Sequence, residues 1–128
     1  MTEEREPLFR GITRLENELV VRDFVQVFGS GDARALEPFL HRDVRFSGMD
    51  GATASGRRAV VAVCEQIFTV FPVFTVDVVR IASVDASVLV EEELGVVLGH
   101  GAVTRTLPGF ASFEIDDFQI VSWHQVHG

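Results

Sequence analysis

The stretch from Val88 to Leu98, V-L-V-E-E-E-L-G-V-V-L, constrains the chain most, because it alternates like a strand with two unlike faces. Successive side chains of a strand point to opposite sides. Val88, Val90, Glu92, Leu94, Val96 and Leu98 then form an apolar row that holds a single acid. Leu89, Glu91, Glu93, Gly95 and Val97 form the other row, at least partly wet. Glu92 is therefore directed inward while the acids beside it point out. A buried carboxylate without a cation has a shifted pKa, and shifted groups concentrate at functional sites. The plain alternative is an ion pair with Arg80 or Arg105 on a neighbouring strand.

Helical patterns precede this strand. Residues 1 to 11 read as a polar N-terminal arm, and Thr13 with Glu16 has the spacing of a capping box at a helix start. Ile12, Leu15, Leu19, Val20, Phe24, Val27 and Phe28 follow at helical spacing, and Gly29-Ser30-Gly31-Asp32 ends that helix. A short second helix, irregular or 3₁₀ around Pro38, covers Ala33 to Leu40. Val44 to Met49 reads as a strand and Asp50-Gly51 as a turn. The third helix begins near Arg57 and stops at Pro72, with Val60, Val63, Cys64, Ile67, Phe68 and Phe71 along one stripe. Cys64 lies on that stripe, which makes it a core residue rather than a reactive thiol.

Beyond Pro72 the chain reads as sheet. Phe74 to Ser83 is a strand, Val84 to Ser87 a turn, and Gly99-His100-Gly101 a tight turn. Ala102 to Ile115 is a long strand with Pro108-Gly109 at a bulge or edge, Asp116-Asp117 turns, and Phe118 to His127 closes the chain. Helices first and a meander last give one α+β domain over residues 1–128, with a pocket between the helices and a curved sheet.

Composition narrows the function. The net charge is −8 and all 11 basic residues are arginines, with no basic run to neutralise phosphates or meet an anionic membrane. No apolar run approaches the ~20 residues of a membrane span, and the acidic start lacks the pattern of a signal peptide. With a single cysteine, a cytoplasmic, reducing setting is expected. His41, His100 and His124 have no partners at metal-ligand spacing, so no metal is expected.

Four segments carry a resemblance: F-G-S-G-D (Phe28 to Asp32), F-L-H-R-D-V-R-F (Phe39 to Phe46), S-G-R-R-A-V (Ser55 to Val60) and F-E-I-D-D-F-Q-I-V-S-W (Phe113 to Trp123). In this order the chain resembles the nuclear transport factor 2-like, cystatin-like fold, and within it the limonene-1,2-epoxide hydrolases and SnoaL-like proteins. The resemblance implies a cone-shaped, mixed or antiparallel curved sheet with N-terminal helices packed on it. It also implies a small hydrophobic ligand, no cofactor, and a homodimer through the meander face.

That epoxide-hydrolase family holds water with a tyrosine, an asparagine and an aspartate, and uses an arginine flanked by a second aspartate. Here Phe46, Gly48 and Gln125 stand at the first three places, Glu92 at the arginine and Leu94 at its partner. For the related ketosteroid isomerases, Phe24, Gly48 and Ala111 stand where the oxyanion tyrosine, base and second acid belong, and the chain has no tyrosine. The family's usual groups are thus replaced.

Two functions remain. In one, the chain is an isomerase, hydrolase or cyclase: Glu92 moves a proton, Gln125 orients substrate or water, and His127 titrates near neutrality on the face of Trp123 and Gln125. Phe24, Phe46, Gly48, Met49, Leu94 and Trp123 then line the pocket. In the other, the chain is non-catalytic: either a ligand-binding module that keeps the pocket, or a dimerisation module whose pocket is filled from its 11 phenylalanines.

Overall fold

The computed structural model describes residues 2–48, 51–70, 74–98 and 103–127, with side chains over 11–48, 51–70, 75–96 and 104–126. The first helix, α1, spans Thr2–Phe28. Asn17, Val21, Phe24, Val25 and Phe28 are its buried residues, at i, i+4, i+7, i+8 and i+11. That stripe faces the sheet. The helix stops at Gly29-Ser30-Gly31: Gly29 N–H donates to Val25 O, and Gly31 adopts the left-handed conformation at φ +77.

The start of α1 differs from the polar arm expected over residues 1–11 and the capping box expected at Thr13. The backbone is helical from Thr2, so Thr13 and Glu16 lie inside the helix. Glutamate, arginine and leucine are strong helix formers and propagate the helix through this segment. A 3₁₀ helix, Arg34–Phe39, follows with Pro38 inside it, as its irregular pattern predicts, and Asp32 Oδ1 accepts the Arg34 N–H.

Strand β1 (Leu40–Ser47) begins four residues before the expected Val44, because Leu40 pairs with Ile120 of the last strand, a contact made across the whole chain. A short strand β2 (Thr53–Ser55), in a segment to which the sequence assigns no strand, pairs with Arg45 to Ser47. Helix α2 (Arg57–Val70) then buries Val60, Val61 and Cys64. Strands β3 (Phe74–Val84), β4 (Ser87–Leu98), β5 (Val103–Asp116) and β6 (Gln119–His127) complete a six-stranded sheet of order β2-β1-β6-β5-β4-β3. It is mixed: β1 runs parallel to β6 and every other pair is antiparallel. The domain is α+β, with its helices on a curved sheet.

Strand β4 obeys its alternation. Val88, Val90, Glu92, Leu94 and Val96 are buried, while Leu89 and Glu93 are exposed. Gly95 lies opposite Thr75, and a Cβ there would meet Thr75 Oγ1. Pro108 does not interrupt β5; β6 ends opposite Gly109, so Pro108 needs no N–H on that side. Register shifts fall instead between Val78 and Arg80, between Glu114 and Ile115, and between Leu40 and Arg45 of β1. Among the described residues, no helix is long and apolar enough to cross a membrane.

The core lies between α1, α2, the 3₁₀ helix and the inner sheet face. Phe24, Leu36, Leu40, Val60, Cys64, Phe113 and Ile120 are among its most buried side chains. Burying an aliphatic or aromatic side chain of this size stabilises by roughly 1.5–3 kcal/mol.

Candidate functional site

Glu92 and Gln125 come from strands that are not neighbours. Strand β5 lies between them, with Gly109 opposite Glu92 and Ala111 opposite Gln125. Both are buried and small, so two long side chains can meet over β5. Gln125 Nε2 donates to Glu92 Oε1 at 3.3 Å, and Trp123 Nε1 donates to Gln125 Oε1 at 3.0 Å. The result is a directed chain from indole to amide to carboxyl, all three groups buried.

The surroundings are aromatic. The Trp123 ring meets Phe46 at 4.7 Å, Phe24 at 5.2 Å and Phe28 at 5.8 Å in edge-to-face geometry, and stacks on Phe113 at 6.0 Å. Such pairs add about 0.5–1.5 kcal/mol each beyond area burial. Between these rings and Glu92 lies a cavity of about 10 Å³, lined by Phe24, Val25, Phe28, Val76, Glu92, Phe113, Trp123 and Gln125. That volume holds about one water.

Burial pushes the Glu92 carboxyl above its ordinary value, and the Gln125 hydrogen bond only partly opposes this. Neither arginine considered as a partner reaches it. Arg80 pairs with Glu91 on the outer face at 3.5 Å, and Arg105 is exposed opposite Val96. Glu92 has no ion pair among the described residues, and burial among apolar side chains disfavours its charged form.

The expected residues divide as follows. Glu92, Gln125, Phe24 and Trp123 line one cavity. Phe46 supports Trp123 from behind, Gly48 packs against the Phe46 ring, and Leu94 is buried on the row of Glu92 one pair further along; none of the three lines that cavity. Met49 and the side chain of His127 lie outside the described residues. Val25, Phe28, Val76 and Phe113 complete the wall without having been singled out. Phe28 was legible as a member of the α1 stripe; Val76 and Phe113 needed the strand register.

Outside the cavity, Cys64 is buried and its thiol is pushed up to about 12 by burial, with Glu65 adding to the effect. It is a packing residue. Among the described residues, no group of three or more His, Cys, Asp and Glu could hold a metal ion. His124 is exposed on the outer face, where its Nδ1 shares a hydrogen bond with Ser47 Oγ.

The fold has close counterparts. An LEH-like epoxide hydrolase from M. tuberculosis superposes with a TM-score of 0.78 at 20% identity, over 91% of this chain and 85% of that one. A protein from Shewanella putrefaciens CN-32 named as a SnoaL-like polyketide cyclase gives 0.77 at 12% identity, covering 87% and 79%. TerC, co-crystallised with polyporic acid, gives 0.77 at 16% identity, covering 88% and 92%. At these identities the likeness is one of fold. No curated protein matches by sequence. The model of the SnoaL-like domain, however, matches residues 21–123, from the buried half of α1 to Trp123, and the chain belongs to the SnoaL-like domain family.

Proposed function

We propose that the chain binds a small hydrophobic molecule between α1, α2 and the inner sheet face, and that Glu92 transfers a proton there, in a cofactor-independent isomerase, hydrolase or cyclase reaction. The carrying observation is the Trp123–Gln125–Glu92 chain, which ends at a buried carboxyl on a cavity of otherwise apolar lining. A carboxyl whose pKa is raised by burial is suited to general acid–base work. Gln125 has no titrating group and serves to hold Glu92. The space beside Glu92 is water-sized in the ligand-free chain, so a ligand enters as the aromatic wall yields.

The test is a thermal-shift panel of terpene epoxides, steroid-like ketones and aromatic polyketides, followed by product analysis with any stabilising compound. A hundredfold excess over Kd adds ~2.7 kcal/mol. Glu92→Gln should abolish turnover and keep the fold; full activity in that variant would remove Glu92 from the reaction.

A second reading is favoured by the same small cavity and by the outer face. There, Leu89, Phe110 and Val126 are exposed around a groove of about 320 Å³. In this reading the aromatic residues simply fill the cone, and the meander face pairs two copies of the chain. Sedimentation at micromolar protein tests it, and a monomer mass would count against it.

A further inference from the structure

Helix α1 is apolar on two sides. Its buried stripe, Asn17, Val21, Phe24, Val25 and Phe28, faces the inner side of the sheet. At about 3.6 residues per turn, Ile12, Leu15 and Leu19 fall on the opposite side of the helix. They are 43%, 62% and 59% exposed. The helical backbone runs back to Thr2, and Leu8 holds the position one turn before Ile12 in the same row. Among side chains 11–16, none is buried. A helical segment that buries no face is marginal in water, so this half of α1 gains from a cover that its own chain does not supply.

Charge selects the cover. The acids of α1 outnumber its arginines, which disfavours an anionic lipid surface. The row is instead complementary to itself. When it is laid antiparallel on a second α1 about a two-fold axis between Thr13 and Arg14, Ile12 falls opposite the partner's Leu15, and Leu19 opposite the partner's Leu8. Such an axis brings the same flank of the two helices together. One flank carries Arg22 and the position of Glu4; the other carries Asp23 and the position of Arg5. Arg22 is thereby set beside the partner's Glu4, and Asp23 beside the partner's Arg5. The antiparallel sense also places opposite ends of the helix dipoles side by side. We propose that the exposed row of α1 docks a second copy of this chain as an antiparallel helix pair. This interface lies on the other side of the domain from the outer sheet groove of Leu89, Phe110 and Val126, and the leucines supply its affinity while the charged flanks fix its sense.

Sedimentation equilibrium of the full chain through the micromolar range tests the pairing, with thermal midpoints as the check on folding. Wild type should self-associate. Two-fold symmetry counts each substitution twice, so Leu15→Glu should weaken the association at least about a hundredfold. Phe110→Glu, on the sheet groove, should leave it unchanged. Arg22→Glu should weaken it about tenfold, and adding Glu4→Arg should restore it, because the exchange rebuilds the pair with its sign reversed. A wild type that stays monomeric overturns the proposal. So does an association that survives Leu15→Glu and is lost in Phe110→Glu, which would give it to the sheet face. Failure of Glu4→Arg to rescue Arg22→Glu overturns the antiparallel register. Monomeric protein that floats with phosphatidylcholine vesicles, and no longer does so as Leu15→Glu, would assign the row to a lipid surface instead.

Discussion

Gln125 Nε2 donates to Glu92 Oε1 across an intervening strand, while Oε1 of the same amide accepts the indole N–H of Trp123. One side chain thus satisfies two buried polar groups. Replacing it with leucine, which is similar in size, leaves both without a partner. Each orphaned group costs about 1–3 kcal/mol, so Gln125→Leu should lower stability by roughly 2–6 kcal/mol, seen as a reduced urea midpoint at unchanged slope. Adding Glu92→Leu should recover the part due to the carboxyl, because two apolar partners leave less to desolvate. A double variant no better than Gln125→Leu alone would place the loss in packing instead.

The pH dependence of stability follows from Glu92. Its folded-state pKa lies above the ordinary 4.5, so the native state holds a proton that the unfolded chain releases first. The associated stability is fully present below 4.5 and is lost as pH rises through the folded pKa. Wild type should therefore lose stability as the pH is raised from 4.5. Glu92→Gln keeps an acceptor for Gln125, does not titrate, and should remove that slope. Denaturation midpoints taken at several pH values compare the two proteins; parallel curves would mean that Glu92 is not buried as a neutral acid.

Much of this site was legible in the residues, and the reasons are local. Glu92 could be placed inside because β4 has one dry and one wet face, and parity alone then assigns every side chain. Gln125 and Trp123 share a face of β6 by the same parity. Their meeting with Glu92 was not legible, since it depends on β5 lying between β4 and β6 with Gly109 and Ala111 at the crossing. The early start of β1 and the existence of β2 were hidden for a related reason. Leu40 is held by Ile120, and a three-residue strand exists only through its partner. The helical start of α1 carries no apolar period to mark it. The cavity's size was out of reach as well, because spacing says which aromatic residues face inward but not how closely their rings pack.

Cys64 offers a check on the core. Its thiol is pushed up to about 12 by burial within the α2 stripe, so the reactive thiolate is scarce near neutral pH. The native protein should resist iodoacetamide at pH 8 and become labelled only in denaturant. Because labelling then follows opening of the core, its rate should increase in the Gln125→Leu variant in step with the lost stability. Fast labelling of the folded wild type would show a looser seat between α2 and the sheet.

The β5–β6 hairpin carries a local conflict that can be relieved. Asp117 and Phe118 form its turn with φ values of 48 and 64, a left-handed pair of the kind that hairpins favour because it matches strand twist. Asparagine and aspartate tolerate this conformation, and glycine adopts it freely, but a phenylalanine places its Cβ against the carbonyl and costs roughly 1–2 kcal/mol. Phe118 is also 58% exposed, so little packing offsets that cost. Phe118→Gly should therefore stabilise the domain by about 0.5–1 kcal/mol, the gain reduced by the greater freedom of glycine in the unfolded chain. A urea titration measures it directly. Phe118→Ala serves as the control, since it removes the exposed ring while retaining the Cβ. If alanine stabilises as much as glycine, the relief comes from the ring and not from the backbone; if both destabilise, Phe118 makes a packing contribution greater than its exposure suggests.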